Sequence, residues 1–258
     1  MIRQVPGISS IPSTLPLSKM GYRIDSWEGE TLCGTRVRAG RNSDQTATIG
    51  GTVMIDGEYY ALTVLHPFLK PSSNQHHQHR KRWASFRSRA MYALDSEEPH
   101  AVAYLPRYKG TRKLNPGFWS VRQNWGLFRL CDQTPRSNCV TVGGWQVLSP
   151  SKVTRSSPRG QLWCLLGNGA RPPVRTDVSG RLSRPSIAAT DFPVAYQLSM
   201  VSFAEDVGAW VVDGGDNGSL FAMLVAQDDQ DFTTYAISAA DIFDELQKRF
   251  PNTSIAIA

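Results

Sequence analysis

The chain has 258 residues, 41% of them hydrophobic, which is enough for a buried core that needs no metal or crosslink. No stretch approaches the roughly 18 apolar residues of a membrane span, and residues 1–20 lack the apolar block of a secretory signal, so we expect an intracellular protein, cytoplasmic or nuclear, without membrane association. The net charge of +6 is uneven, since Lys and Arg predominate before residue 200 and Asp and Glu after it.

The four cysteines, Cys33, Cys131, Cys139 and Cys164, have neither the paired spacing of zinc ligands nor the density of a disulfide framework. We expect them to be small buried hydrophobic residues in a reducing compartment. A Cys131–Cys139 bridge is geometrically feasible, but nothing in the sequence requires it.

The first confident element is a β-hairpin. Residues 1–28 predict an irregular arm, after which two β-rich runs, 46–55 and 58–65, are joined by Asp56-Gly57. Asp-Gly between such runs is a strong hairpin signal. His66 therefore follows the second strand of a predicted hairpin.

Residues 71–90 predict a long surface loop, because cations are dense there and no hydrophobic period is visible. Its cations and rings offer phosphate contacts and stacking groups, which makes it a candidate nucleic-acid surface: Arg80, Lys81, Arg82, Trp83, Phe86, Arg87 and Arg89. His76, His77 and His79 lie in this polar loop without a fixed scaffold, so we predict no metal site and no cofactor.

Short β-rich runs separated by Gly, Pro, Ser and Asn continue along the chain, at a spacing typical of barrels and sandwiches. They cover residues 101–104, 126–130, 140–148, 161–166, 194–202, 209–212, 219–226 and 232–237. After residue 237 the hydrophobic period changes from that of a strand to that of a helix. Ser238 and Asp241 form a capping-box-like start, and one face of a helix that ends at Pro251 is marked by Ile242, Phe243, Leu246 and Phe250.

Three blocks in this order resemble the trypsin-like serine proteases, and in particular a fungal group that carries degenerate versions of them. The β-hairpin ending in Leu-Thr-Val-Leu-His66 is similar to the strand pair before the family's histidine. The run that begins Asn124-Trp-Gly-Leu is similar to the family's Asp-Trp-Ala-Leu. The run Glu205-Asp-Val207-Gly-Ala-Trp-Val-Val-Asp is similar to Gly-Asp-Ser-Gly-Ser-Trp-Val-Val-Asp, in which Ser is the nucleophile.

The resemblance implies an all-β fold of two six-stranded antiparallel β-barrels of the trypsin-like type with a C-terminal α-helix. The expected boundaries are an arm at residues 1–28, a first barrel at 29–135 with the basic loop 71–90, a second barrel at 136–237 and the helix at 238–250. A second alignment places Asn217 of Gly-Asp-Asn-Gly-Ser at the nucleophile. We prefer Val207, because the three strands and the helix that follow the family's serine all lie after it.

The resemblance also implies that the chemistry is lost. Acyl transfer needs a hydroxyl nucleophile, an imidazole base, a carboxylate that fixes the tautomer, and an oxyanion hole. Val207 has no hydroxyl. Asn124 is neutral and presents to the imidazole either its oxygen or its amide donors. Glu205 replaces a glycine of the oxyanion hole, where a carboxylate opposes an incoming oxyanion.

We therefore expect a catalytically inactive protease-fold module, a pseudoprotease, that acts by binding a protein partner or as a sensing or scaffold domain. In this interpretation His66 is a packed relic of the triad. One alternative is nucleic-acid binding through residues 75–89. Another is residual hydrolase activity with a displaced nucleophile, Ser219 or Ser202.

Overall fold

Two antiparallel β-sheets make up most of the computed structural model, which describes residues 31–70, 86–94, 101–107, 115–142, 146–166, 172–183, 185–187, 190–192, 194–216, 218–228 and 233–258. Both sheets curl, and a single C-terminal helix packs beside them. The predicted N-terminal arm and most of the basic loop, residues 71–85, lie outside the described residues.

The first sheet has nine strands, in the order β2-β1-β5-β6-β8-β4-β3-β20, with β7 paired to β8. These strands are β1 (Arg36–Arg38), β2 (Thr46–Thr48), β3 (Gly51–Ile55), β4 (Glu58–Val64), β5 (Ala90–Ala93), β6 (Ala101–Tyr104), β7 (Trp119–Ser120), β8 (Trp125–Leu130) and β20 (Ile255–Ile257).

The second sheet has seven strands, in the order β12-β11-β17-β18-β19-β16-β13. They are β11 (Leu162–Cys164), β12 (Val174–Thr176), β13 (Val178–Ser183), β16 (Val194–Leu198), β17 (Trp210–Asp213), β18 (Ser219–Gln227) and β19 (Thr234–Ser238). Two further strand pairs form separate small sheets: β9 (Val140–Val142) with β10 (Gln146–Leu148), and β14 (Ser186–Ile187) with β15 (Thr190–Asp191).

The hairpin of β3 and β4 turns at Asp56 and Gly57, as the sequence predicts. Both residues have positive φ, 50° and 78°, as a two-residue type I′ turn requires. The strands pair in register from Ile55 with Glu58 to Gly51 with Leu62. Because this register fixes β4 against β3, it also fixes the position of His66, which follows β4.

The C-terminal helix α1 (Ala239–Arg249) begins where the capping pattern predicts, because the Ser238 hydroxyl accepts a hydrogen bond from the Asp241 N–H at 3.4 Å. Ala239, Ile242 and Leu246 are its buried face and join the core of the first sheet. After the helix, β20 returns to pair with β3.

The two sheets contact each other where the indole ring of Trp210 lies against Gly50 and Gly51. Trp210, at the start of β17, is completely buried. A Cβ added at Gly50 would lie 2.1 Å from the Trp210 ring, and one added at Gly51 would lie 2.4 Å from it. Only residues without a side chain leave room for the indole here. Trp210 therefore joins the first sheet's core, which also includes Met223 and Ile237 of the second.

The predicted all-β fold with two curled sheets and a C-terminal helix is confirmed. The sheets have nine and seven strands rather than six each. Short strands that carry little hydrophobic pattern, such as β1, β7, β12 and β20, account for strands that the sequence did not reveal. No helix within the described ranges is long and apolar enough to cross a membrane.

All four cysteines have free thiols, so Cys131 and Cys139 are not bridged. The expectation that they are buried holds for Cys33 and Cys164. It is wrong for Cys131, which is exposed, and Cys139, which is partly exposed, because both lie in the irregular segment between the two sheets.

The glycine contact predicts a contrast between two substitutions. Gly50→Ala places a methyl group inside the Trp210 ring and should lower the free energy of unfolding by about 3 kcal/mol, the upper end of overpacking effects. Gly57→Ala meets no atom within 4 Å but keeps a φ of 78°, so it should cost only about 1 kcal/mol. Urea denaturation measures both; a Gly57→Ala cost equal to or above that of Gly50→Ala would contradict the packing argument.

Candidate functional site

His66 is the first residue of a short 3₁₀ turn, His66–Phe68, that directly follows β4. The turn is anchored by the neighbouring residue Asn124, whose backbone C=O accepts a hydrogen bond from the Leu65 N–H at 3.1 Å. Pro67 and Phe68 are buried, so their packing holds the turn in place. The sequence prediction that His66 follows the second strand of the hairpin is correct. His66 is the sole histidine among the described residues.

The Asn124 side chain is buried and makes two contacts with His66. Its Oδ1 accepts a hydrogen bond from the His66 backbone N–H at 2.9 Å. Its Nδ2 lies 2.9 Å from Nδ1 of the His66 imidazole. Rotating the amide by 180° would bring the NH₂ group against the backbone N–H, with two donors facing each other. The amide orientation is therefore set by the main chain of His66.

This orientation decides the tautomer of the imidazole. Because Asn124 Nδ2 is a donor, Nδ1 of His66 must accept, and a neutral ring then carries its proton on Nε2. A general base in a serine-protease triad needs the reverse arrangement, with the proton on Nδ1 and a free lone pair on Nε2. The arrangement thus supplies a hydrogen-bond donor at Nε2 where the chemistry requires an acceptor.

Burial lowers the pKa of His66 below its ordinary value of 6.5. A hydrogen bond from the ring to the Asn124 oxygen would oppose this shift, but that oxygen is occupied by the backbone N–H. A hydrogen bond donated by Asn124 Nδ2 is lost when Nδ1 takes up a proton, so it also favours the neutral ring. Burial therefore favours the neutral form of the His66 ring.

Val207 follows a short 3₁₀ turn, Ala204–Asp206, and is held against the first sheet by its main chain. The Thr48 N–H donates to the Val207 C=O at 2.8 Å. The next residue, Gly208, has a φ of 100°, and a Cβ there would lie 2.1 Å from Thr48 O and 2.4 Å from Thr63 Oγ1. Since Thr63 is three residues before His66, the Val207 segment lies at the end of β4. The Val207 side chain is 5% exposed.

The Glu205 carboxylate forms an ion pair with Arg36, Oε1 to Nη2 at 3.0 Å. Its backbone C=O accepts a hydrogen bond from the Thr48 hydroxyl at 2.7 Å. The expected repulsion of an oxyanion by Glu205 is therefore offset by the guanidinium of Arg36. The Glu205 side chain and its ion pair with Arg36 nevertheless add bulk beside this turn.

The alternative nucleophile position, Asn217, lies outside the described residues, but its neighbours indicate where that turn is. Residues Gly214–Asp216 form the turn between β17 and β18. Gly215 packs on Gly160, and Gly218 packs on Leu148 and Ser149. Val207 precedes β17, whereas this turn follows it, about 10 Å farther along a strand of four residues. These contacts favour the alignment on Val207.

Neither candidate for a displaced nucleophile has an imidazole partner among the described residues. Ser202 is buried, and its hydroxyl is hydrogen-bonded at 2.8 Å to Thr234 Oγ1, which itself donates to Met200 O. Ser219 begins β18, opposite Asp213, at the far end of β17.

Only Phe86, Arg87 and Arg89 of the predicted nucleic-acid surface lie within the described residues. Phe86 is half-buried and packs edge-on against Trp119, with ring centroids 5.3 Å apart. Its ring thus packs at the periphery of the core. Arg87 and Arg89 are exposed. The remaining predicted members, Arg80, Lys81, Arg82 and Trp83, fall outside the described ranges, as do His76, His77 and His79.

Three residues of the site were not found from the sequence: Thr48, Thr63 and Arg36. Threonines are common in strands, and their hydroxyl partners here are backbone carbonyls distant in sequence. Arg36 pairs with a residue 169 positions away. No spacing or motif marks such residues. Among the described residues there is no cluster of three or more His, Cys, Asp or Glu side chains able to hold a metal ion.

Comparison with known proteins identifies the fold. No protein-family profile matches the chain, and no curated protein matches it significantly in sequence. Solved structures do match. One is a glutamic acid specific serine protease described as using a histidine triad in substrate binding, with a TM-score of 0.58 and 9% identity over 88% of this chain and 100% of that one.

Two further matches come from named bacteria. Thermobifida fusca Protease A has a TM-score of 0.54 and 10% identity over 88% of this chain and 98% of its own. Nocardiopsis protease has a TM-score of 0.52 and 11% identity over 85% and 97%. At such identities the likeness concerns the fold alone, which is the two-barrel fold of the chymotrypsin-like proteases.

The orientation of Asn124 predicts the protonation state of the ring. Nitrogen-15 NMR at pH 7.5 should find the His66 proton on Nε2. In Asn124→Asp the carboxylate accepts from both the backbone N–H and Nδ1–H, so the proton should move to Nδ1 and the pKa of His66 should rise. Aspartate tolerates the φ of 53° found at this position. A proton on Nδ1 in the unaltered protein would refute the assigned orientation.

The lowered pKa of His66 also predicts how stability depends on pH. Below about pH 6.5 the unfolded chain binds a proton that the folded chain excludes, so this contribution to stability is present above pH 6.5 and is lost as pH falls. His66→Gln should therefore show a weaker loss of stability between pH 7 and 5 than the unaltered protein. The other four histidines are common to both chains. Parallel pH profiles from urea denaturation would contradict the shift.

Proposed function

We propose that this chain, which has the fold of the trypsin-like serine proteases, is a pseudoprotease: a catalytically inactive module that acts by binding another protein. The observation that carries the proposal is the hydrogen bond between His66 and Asn124. Asn124 donates to the ring, whereas the Asp of a working triad accepts from it. The place of the nucleophile, at Val207, supplies the second reason.

Loss of the nucleophile is the most direct argument for inactivity. A branched hydrocarbon at position 207 has no proton to give and no lone pair to attack a carbonyl. The two serines considered as displaced nucleophiles have other places: Ser202 is hydrogen-bonded to Thr234, and Ser219 lies at the far end of β17 from Val207. Residual hydrolysis by a displaced serine is therefore the least favoured interpretation.

The state of the histidine provides an independent argument. Even with a hydroxyl at position 207, an imidazole with its proton on Nε2 cannot accept the hydroxyl proton. In serine proteases, replacing the triad Asp by Asn lowers turnover about 10⁴-fold through this tautomer effect. Two separate requirements of the mechanism are thus missing, and restoring either one alone leaves the other absent.

Exposed apolar side chains next to the degenerate positions support binding of a protein. Of the four large apolar side chains exposed among the described residues, three lie on the segments that lead to these positions: Val121 precedes Asn124, and Val201 and Phe203 precede Val207. Phe203 is 49% exposed and Val201 is 56% exposed. Exposed aromatic and aliphatic groups are favourable anchors for a protein partner.

A comparison of variants tests inactivity. The unaltered chain should neither hydrolyse an activated ester nor be labelled by a fluorophosphonate, and Val207→Ser alone should remain unlabelled. The triple variant Val207→Ser, Asn124→Asp, Glu205→Gly contains every group of the mechanism and should exceed Val207→Ser by about 10⁴-fold if the groove admits substrate. Hydrolysis by the unaltered chain that His66→Ala abolishes would show that the pseudoprotease interpretation is wrong.

Site-specific crosslinking tests the binding role. A photo-crosslinking amino acid at position 203 should capture one discrete protein partner in a lysate of the source organism, and Val201→Asp should reduce that capture at least tenfold. The matched control places the same group at Val147, which is 62% exposed but lies on the separate hairpin of β9 and β10. Equal capture from both positions would count against binding at the former active site.

A further inference from the structure

Five arginines at one end of the first sheet have no partner for their charge among the described residues. Arg41, Arg87, Arg89 and Arg107 are exposed and Arg38 is half-buried. The ion pairs between described residues involve other arginines, at positions 36, 129, 136, 155 and 249. None of the five thus forms an ion pair with another described residue, and four of them are exposed to an approaching anion.

Strand pairing brings these arginines together, although they are far apart in sequence. The segments 38–41, 87–92 and 105–107 lie side by side at about the 4.8 Å spacing of paired strands. Arg38 is directly opposite Tyr92 in the pairing of β1 with β5. A Cβ on Gly40 would lie 3.2 Å from the Ser88 side chain. On the other side, the Leu105 N–H donates to Arg89 O at 2.7 Å.

This arginine surface, residues 38–45, 86–92 and 105–107, has a strong local excess of positive charge. It contains the five arginines and one carboxylate, Asp44, for a net charge of +4. Like charges gathered on one surface repel one another, which costs electrostatic free energy, and an anionic partner lowers that cost. The surface begins two residues after Arg36, which is already paired with Glu205.

We propose that the arginine surface binds single-stranded nucleic acid. Every cation in it is arginine, whose planar fork matches the oxygens of a phosphate. Tyr92, half-buried and directly across from Arg38, adds an aromatic ring on which a base stacks. A cationic track combined with a stacking ring is the combination that binds single strands without sequence preference. An acidic polypeptide would use the arginines but has no use for the ring.

This inference is independent of the proposed function, since it uses neither the residues of the degenerate triad nor the apolar residues beside them. It also differs from the sequence-based expectation for residues 75–89. Phe86 packs inward against Trp119, and the stacking ring is now Tyr92. The additional cations, Arg38, Arg41 and Arg107, come from segments that the sequence does not place next to the loop.

Fluorescence anisotropy with labelled 20-nucleotide poly(dT) and poly(rU), measured over a range of salt concentrations, tests the charge contribution. With five phosphate contacts, the slope of log K against log salt should be about −3.5 for single strands. The variant Arg41→Gln, Arg89→Gln, Arg107→Gln should bind at least tenfold more weakly, with a slope smaller in magnitude by about two. All three side chains lack partners among the described residues, so the fold should be unaffected.

The matched control removes the same charge elsewhere. Arg159, Arg175 and Arg181 are exposed residues on the other half of the molecule, and changing all three to Gln should leave affinity within twofold and the slope unchanged. Every variant keeps residues 71–85, so the difference between the two triple variants reports the arginine surface alone. Equal losses in both variants, or no binding by the unaltered protein, would overturn the proposal.

Tyr92 distinguishes nucleic acid from an acidic polypeptide. Tyr92→Leu should weaken oligonucleotide binding by about 5- to 150-fold without changing the salt slope, whereas Tyr92→Phe should retain it. Competition with poly-glutamate of equal charge should require a large excess over unlabelled oligonucleotide. If poly-glutamate competes equally well and Tyr92→Leu has no effect, the surface binds acidic polypeptides and the proposal is wrong.

Discussion

The contact between the Trp210 indole and the backbone of Gly50 and Gly51 determines how the two sheets meet. The ring has no exposed surface, and neither glycine has space for a Cβ. Because Trp210 begins β17, the packing of its ring also positions the residues just before it. Gly208 therefore lies against Thr48 and Thr63. The position of Val207 relative to the end of β4 is thus a consequence of core packing, which does not depend on any catalytic group.

The hydrogen bonds that hold residues 205–208 use main-chain atoms of this segment. Thr48 binds the carbonyls of Glu205 and Val207, and the Gly208 N–H donates to Leu224 O at 2.9 Å. A change of side chain at position 207 leaves all of them intact. Burial of a valine side chain contributes about 1.5 kcal/mol or more, whereas a buried hydroxyl needs a partner. A valine at position 207 therefore fits this main-chain arrangement and adds apolar burial without needing a hydrogen-bond partner.

Local signals explain which parts of the fold could be predicted from the sequence. The hairpin at Asp56 and Gly57 and the helix that begins after Ser238 each depend on residues next to one another, so their patterns are complete within a short window. The strand β20 is different. It pairs with β3 and is fixed by Asn138, whose side chain binds both Thr52 and Ala258. A three-residue strand with such distant partners leaves no local signal.

In the candidate site, too, the features with a local sequence motif are predictable, and those that depend on distant contacts are not. The order of three blocks selects His66, Asn124 and Val207 as candidates, because each block carries its own local motif. It was not enough to orient the Asn124 amide, for which the sequence left both orientations open. That choice is made by the His66 N–H, whose direction depends on the 3₁₀ turn after β4. An aspartate here would accept from both the backbone and the ring. An asparagine has a single oxygen, and once the main chain occupies it, the ring must face a donor. Replacing one carboxylate oxygen by NH₂ thus exchanges the donor and acceptor nitrogens of the imidazole. The backbone around the ring is unchanged.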